Sequence, residues 1–284
     1  MLSYLGMLDL HAHTTCSDGS LTPTQLVALA AELGLSAVAV TDHDSVDGLE
    51  EGLAAGERYG VEVVPGVEIP LEYEDFTFDM LGYFLRGRPS DEFKAQLARL
   101  RRDRDERNRL ILGKLRALGY PLDPAELAAV ADGEAVGRPH IGEALRRRGF
   151  VGSITEAFER FLRRGAPAFV DRRRLGLGQA VRLIQGSGGV AVIAHPGILR
   201  TDDAGLRRLA REAARLGVVG FECYYPAYDD ATVERCLAIA ADFGLVATGG
   251  SDFHGRVKPA VHLGQGPGGR PIPDAILERL KARC

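Results

Sequence analysis

The chain has 284 residues, 45% of them hydrophobic and 26% charged, and a net charge of −4. That composition belongs to a folded globular protein, large enough for one barrel-sized domain or a domain carrying an insertion, and it excludes a disordered, collagenous or disulfide-framework chain. No run of about eighteen apolar residues occurs, so no bilayer span is expected.

The opening stretch MLSYLGMLDL lacks a basic leader and a small-residue cleavage site. It reads as the first strand of a cytoplasmic protein. Cys16, Cys223, Cys236 and Cys284 form no CxxC pair and are expected to be reduced thiols, with Cys16 a small packed side chain. Charge is unevenly spread: from Arg86 to Arg174 there are 21 Lys+Arg against 13 Asp+Glu, and elsewhere 14 against 26. A basic segment in an acidic chain is expected to face something anionic, although RRDRDERNR also has the i,i+4 pairs of a solvated helix face.

In chain order, the short apolar runs are GMLDL (6–10), SAVAVT (36–41), VEVV (61–64), FTFDMLGYFL (76–85), GVAVIA (189–194), GVVGFEC (217–223) and GLVAT (244–248). They predict seven strands, and their continuous apolar character is that of parallel strands covered on both faces. Between them, TPTQLVALAAELG opens on Thr22 as a cap with Pro23 at the first helical position and stops at Gly34. SVDGLEEGLAAGERYG, DAGLRRLAREAARLG and DDATVERCLAIAADFG likewise start on Ser or Asp and end on Gly. Strand and helix in alternation predict an α/β fold, either a βα barrel or an open parallel sheet. The alternation breaks once. From 90 to 170 only helices are expected: Ser90–Leu118, then DPAELAAVADG, RPHIGEALRRRG and SITEAFERFLRRG, a helical insertion between strands four and five.

The candidate chemistry begins in DLHAHTTCSDG, Asp9–Gly19. In an extended segment residues two apart share a side, so His11 and His13 can hold one cation while Asp18 bends back toward a second. His43 in TDHD, Glu68 in PGVE, His195 in AHPG, and Asp252 and His254 in GSDFHG each fall at or just past the C-terminal end of a predicted strand. That is the face where βα barrels assemble their sites. Imidazole and carboxylate without thiolate favour Mn, Zn or Fe over Mg or Ca alone, and the donors suffice for two to three divalent ions with Glu68 as a bridge.

The series DLHAHTTCSDGSLTP, TDHD, PGVE, AHPG and GSDFH resembles the PHP (polymerase and histidinol phosphatase) superfamily of metal-dependent phosphoesterases, over nearly the whole chain. The resemblance implies a distorted seven-stranded (β/α)7 barrel formed by 1–89 and 171–284, a helical insertion at 90–170 serving as substrate cap, and a trinuclear centre. It implies His11, His13, Glu68 and Asp252 around the first ion, Glu68 and His195 around the second, and Asp18, His43 and His254 around the third. The family's second site has a further histidine in a stretch like HILGYF. Here DMLGYF puts Asp79 in that place, a shorter, anionic ligand that either favours a harder ion or weakens that site, leaving it partly empty or completed by water.

The nearest branch is the one with an inserted helical domain, which acts on nucleoside 3′,5′-bisphosphates or trims RNA from its 5′ end. Its GRPH motif grips substrate phosphate, so the resemblance makes Arg138 and His140 the expected substrate-binding and catalytic contacts, with capping of the following helix as their competing role. GAPAFV stands where that branch has GKPAYV, so Ala166 replaces a lysine and Phe169 a tyrosine. Arg163, Arg164 and Arg172–Arg174 are the candidates to compensate. His262 is expected to be structural or exposed.

The activity implied is hydrolysis of phosphate monoesters of nucleotides, a nucleoside 3′,5′-bisphosphate or a short 5′-phosphorylated RNA or DNA, by metal-activated water without a serine or cysteine nucleophile. No membrane and no obligate protein partner is expected. Histidinol-phosphate hydrolysis, within the same superfamily, is the alternative. Amidohydrolase (β/α)8 barrels also open on HxH, but their binuclear members commonly bridge metals with a carboxylated lysine, and none of Lys94, Lys114, Lys258 and Lys281 ends a mid-chain strand. A reading of another class is a nucleic-acid-binding module with a degenerate metal site, which would show salt-dependent binding without turnover.

Overall fold

The computed structural model describes residues 6–74, 76–84, 87–130 and 136–283. The expected features at Leu85, at 131–133 of the insertion and at Cys284 lie outside them. The strands are β1 (Met7–Asp9), β2 (Leu35–Val40), β3 (Glu62–Tyr73), β4 (Phe76–Tyr83), β5 (Leu175–Gly176), β6 (Val190–Ile193), β7 (Gly220–Tyr224) and β8 (Val246–Gly249). They form one sheet in the order β1-β2-β3-β4-β6-β7-β8, with β5 pairing β3 off this path.

Three expectations are corrected. The sheet has eight strands rather than seven, and it is not all parallel. β3 runs on to Tyr73, well beyond the VEVV run, and pairs antiparallel with β4, which is itself antiparallel to β6. The short turn between Tyr73 and Phe76 allows only a hairpin, because a parallel return needs a crossover of a dozen residues or more. The sheet is also not a closed barrel. No strand ladder joins β1 to β8 among the described residues, and the two edges meet through Leu10 N–H to Gly249 O (3.3 Å) and a bridge between Ala12 and Phe253.

Side-chain alternation explains why the strands read as apolar throughout. Ala37 and Ala39 of β2 and Val190 and Val192 of β6 enter one buried cluster, while Val38, Val40, Ala191 and Ile193 enter another beneath the helices. The first cluster gathers residues from the concave side of most strands, and Ile276, Leu277 and Leu280 plug it at the end remote from the histidines.

The helices are α1 (Pro23–Glu32), α2 (Leu49–Tyr59), α3 (Asp91–Ala117), α4 (Pro124–Ala128), α5 (Arg138–Arg147), α6 (Ile154–Ala157), α7 (Leu177–Gly186), α8 (Asp203–Leu216), α9 (Asp230–Asp242) and α10 (Ala275–Lys281). Thr22 caps α1 in a reciprocal box with Gln25, as its sequence suggests. α2 starts later than the expected Ser45, at Leu49 behind Gly48, because 42–48 is a loop that carries His43 and Asp44 to the rim of the sheet. Between β4 and β5 the described elements are helical. Their buried residues, among them Ile111, Leu115, Ile141, Leu145 and Leu162, pack in a hydrophobic cluster separate from the other two. No described helix is long and apolar enough to cross a membrane.

One buried hydrogen bond ties the hairpin to the first site segment: the fully buried Tyr83 hydroxyl donates to Leu10 O at 2.6 Å, next to His11. Tyr83→Phe strands that carbonyl in an apolar core, which costs about 1–3 kcal/mol. Urea unfolding is expected to show a lower midpoint with an unchanged slope.

Candidate metal centre

The predicted ligands converge at one rim of the sheet. His11 and His13 follow β1, and a glycine is required opposite them, since a Cβ on Gly250 would collide with the His11 backbone and Cβ. His43 follows β2, His195 follows β6, and Asp252 and His254 follow β8. Glu68 and Asp79 lie inside strands rather than past their ends, because the β3–β4 hairpin extends beyond the rim.

The donor atoms fall into three sets, each with all its atoms within 4.8 Å of one another: His11, His13, Glu68 and Asp252; Glu68, Asp79 and His195; and His13, Asp18, His43 and His254. Glu68 belongs to two sets and so does His13, which the sequence reading had placed in one. Within the sets, Glu68 Oε2 lies 3.3 Å from His11 Nε2, 3.2 Å from His13 Nε2 and 3.1 Å from His43 Nδ1. Its Oε1 lies 3.0 Å from His195 Nε2. Asp18 Oδ1 is 3.3 Å from His254 Nε2, and Asp79 Oδ2, the most loosely placed, is 3.9 Å from His195 Nε2.

These residues fit cations. His11 Nε2, His13 Nε2 and Glu68 Oε2 are all buried without a hydrogen-bond partner. Buried polar atoms are rarely left so unless something else satisfies them. The tautomers agree: His11 Nδ1 lies 3.1 Å from Glu222 Oε1 and His254 Nδ1 2.8 Å from Asp252 O, so each Nδ1 is the donor and each Nε2 turns a lone pair inward.

A supporting layer holds these ligands. Glu222, buried in the middle of β7, also accepts the His195 N–H at 2.7 Å. Asp42 accepts from Thr14 N–H, Thr14 Oγ1 and Ser17 Oγ (2.8, 2.7 and 2.5 Å), fixing the loop between His13 and Asp18. Asp9 accepts three backbone N–H groups, from His11, Ser251 and Gly264. Tyr225 and Lys258 both donate to Asp252 Oδ2, at 2.9 and 2.7 Å, leaving Oδ1 toward the histidines. Sequence reasoning missed all of these except as neighbours; Glu222 lies inside β7, where the ligand pattern of strand ends does not reach. His262 is exposed and stands apart, as expected, and Cys16 belongs to none of the three sets.

Electrostatics follow from burial opposed by neighbours. Burial would raise the carboxyls of Glu68, Asp18 and Asp252, but adjacent imidazoles, and for Asp252 first Lys258, hold them well below the usual carboxylate range. Burial would lower His13, yet Asp252 and Glu68 raise it to about 9. Burial dominates for His43, which drops to about 4, and for Asp79, which rises to about 6 with the Glu68 charge adding to the effect.

Above the rim opens a cleft of about 760 Å³. It is lined by Asp18, His43, Asp79 and His254 of the rim, by Arg104 and Arg107 of α3, Arg138 and His140 of α5 and Arg172, and by Arg256 and Lys258 after β8. His140 Nδ1 accepts the Gly137 N–H at 3.0 Å, so it does cap α5, and its neutral form carries the proton on Nε2. Arg138 donates to Leu162 O at 3.2 Å and lies against the rings of Phe158 and Phe169. Arg104 and Arg172 both reach the buried Asp44. Of the candidates to replace the missing lysine, Arg172 lines this cleft, whereas Arg163 and Arg164 line a neighbouring one. A similar volume, about 800 Å³, lies between Leu53, Val63 and Phe84 and contains none of the site residues.

With the geometry in hand, a model of the PHP domain matches residues 9–134. A 3′,5′-nucleoside bisphosphate phosphatase of Chromobacterium violaceum is 32% identical over 97% of this chain and 97% of its own. The chain belongs to the PHP family. A 5′-3′ exoribonuclease of Haemophilus influenzae is 34% identical over 87% of this chain and 89% of its own. A solved structure from Bifidobacterium adolescentis, provisionally described as a metal-dependent phosphoesterase, superposes with a TM-score of 0.83 at 31% identity, covering 98% of this chain and 96% of that one. This PHP chain therefore aligns with its relatives along nearly its full length, the helical stretch included.

Two outcomes are expected. His13 holds a proton up to about pH 9 in the metal-free protein, a stabilisation complete below its ordinary value of 6.5 and lost as pH rises through about 9. A metal must displace that proton, so affinity should rise with pH by up to about tenfold per unit for each proton released, levelling above pH 9. Calorimetry in buffers of different ionisation heat counts the protons. Glu222→Gln, which disturbs both His11 and His195, should weaken metal binding about 10–100-fold in a chelator competition.

Proposed function

We propose that the protein is a metal-dependent phosphoesterase that hydrolyses phosphate monoesters of nucleotides, a nucleoside 3′,5′-bisphosphate or a short 5′-phosphorylated oligonucleotide. The observation that carries this reading is the linkage of three nitrogen and oxygen donor sets through Glu68 and His13, directly below a cleft walled by arginines.

In this reading His11, His13, Glu68 and Asp252 hold one divalent ion, Glu68, Asp79 and His195 a second, and His13, Asp18, His43 and His254 a third. The donor chemistry suits Mn, Zn or Fe. When bound, such ions supply an acidified water and neutralise charge on the phosphate. The chain's own groups orient the ester. Arg138 supplies a planar donor fork for phosphate oxygens, the His140 Nε2–H donates beside it, and Phe158 offers a ring face to a base. Lys258 and Tyr225 keep Asp252 ionised and aimed at His11 and His13. Residues 90–170 act as the substrate cap over a metal-binding unit made of 1–89 and 171–284.

The cleft's charge argues against the alternatives. Histidinol phosphate carries an ammonium group that would sit among arginines, a like-charge contact that nucleotides avoid. Amide hydrolysis through a bridging carboxylated lysine has no residue to serve it: Lys94 and Lys114 are on α3, Lys281 is on α10, and Lys258 is engaged with Asp252. A merely binding module has no need of nine imidazoles and carboxylates gathered at one rim, three of them with buried, unpartnered atoms.

The test is phosphate release from nucleoside monophosphates, 3′,5′-bisphosphates and short 5′-phosphorylated RNA after metal analysis of the purified protein. Chelation should abolish release and Mn, Zn or Fe restore it. His13→Ala or Asp252→Ala should lower kcat at least about a hundredfold, the loss of several kcal/mol of metal stabilisation. Undiminished turnover in both variants removes the assignment.

A further inference from the structure

Arg107 differs from its neighbours on the basic wall. Its side chain is only 7% exposed, its Nε is buried without a hydrogen-bond partner, and among the described residues no carboxylate pairs with it. Arg104, one turn earlier on α3, reaches Asp44; Arg172 reaches Asp44 as well, and Arg138 has Leu162 O. Burial together with the positive charges of Arg172 and Arg138 pushes the Arg107 guanidinium down to about 9. A buried cation amid like charges is costly unless something pairs with it.

Position indicates the partner. Arg107 lines the same cleft as Arg138 and Arg172 and as the rim residues Asp18, His43, Asp79 and His254, and Arg172 ties that cleft to the rim through Asp44. Three residues along α3 carry Arg107 about 4.5 Å beyond Arg104. An anion paired with Arg107 would thus occupy the cleft into which the rim donors open, at a residue that belongs to none of the three donor sets.

We infer that Arg107, flanked by Arg138 and Arg172 in the cleft under α3, is a subsite for a second phosphate of the substrate, one that is bound while another is hydrolysed. This rests on the phosphoesterase reading of the rim. Two sources share the chemistry: the other phosphate of a nucleoside bisphosphate, or the first internal phosphodiester of a 5′-phosphorylated oligonucleotide. Guanidinium is suited to either, since its fork matches two phosphate oxygens.

The experiment measures calorimetric Kd values on the full chain in chelator, so that no ester turns over, with adenosine 5′-monophosphate, adenosine 3′,5′-bisphosphate and 5′-phosphorylated diadenylate. The wild type should bind at least one of the two diphosphorylated probes about tenfold or more tighter than the monophosphate, and which probe gains names the source. Arg107→Gln should erase that margin, and Arg107→Lys should keep part of it. In phosphate-free buffer Arg107→Gln should also melt at or above the wild-type temperature, because an unpaired buried cation has been removed. No margin in the wild type, or an undiminished margin in Arg107→Gln, overturns the inference. So does a lower melting temperature that inorganic phosphate leaves equally far below wild type. If no ester is hydrolysed once metal is restored, the activity fails while these binding margins still decide the subsite.

Discussion

The structure depends on keeping one carboxylate, Glu68, ionised where water cannot reach it. It is 1% exposed, its Oε1 faces His195 and its Oε2 faces His11, His13 and His43. Burying a lone carboxylate costs far more than any single hydrogen bond returns, so the surrounding imidazoles must carry protons or yield to metal ions. Each loop that supplies one of those imidazoles is bound by this condition. The backbone shows its cost: of the four non-glycine residues with positive φ among the described residues, three are Asp44 (52°), His195 (30°) and Asp252 (56°), all at the rim. Such conformations cost about 1–3 kcal/mol each and persist only where the surroundings fix them.

The β3–β4 hairpin is what brings Glu68 and Asp79 into the same set. In a simple parallel rim each strand offers one ligand at its end. Extending β3 past the rim and folding β4 back against it places Glu68 opposite Leu81 and Asp79 opposite Pro70, two ligands on one ladder. The same hairpin carries Tyr83 to Leu10, so the element that supplies the bridging carboxylate also fixes the segment that supplies His11.

How much of this was readable in the sequence depended on whether function was written in local patterns. The strands after which His11, His43 and His195 follow are apolar runs with short polar ends, and a ligand at such an end is visible without knowing the fold. The hairpin was not, because VEVV is followed by Pro65 and Gly66, which look like a strand stop but here sit within one strand that continues through Val67 and Glu68 into IPLEY. Glu222 lies inside β7, within the apolar run GVVGFEC, so nothing in the local pattern set it apart from an ordinary strand residue. His13 was assigned to one ion because chain proximity links it to His11; its closeness to His254, 4.1 Å between ring centroids, exists only after β1 and β8 meet.

The uneven charge of the chain has a physical reason in this arrangement. In the proposed reading, cations that would meet phosphate are best carried on elements other than those that would hold metal, with Lys258 on Asp252 the exception. The arginines of α3, α5 and the segment after them line one cleft with the rim residues, and Asp44 pairs with both Arg104 and Arg172. The basic excess of 86–174 is then only partly a solvated surface: Arg109 and Arg146 pair with Glu106 and Glu143 in water, whereas Arg104 and Arg107, on the same helix as Arg109, turn inward. Periodicity cannot separate these two populations, since RRDRDERNR is basic on every face. What separates them is the line along which α3 crosses the rim, set by Phe93, Leu97 and Leu100 packing against the core below.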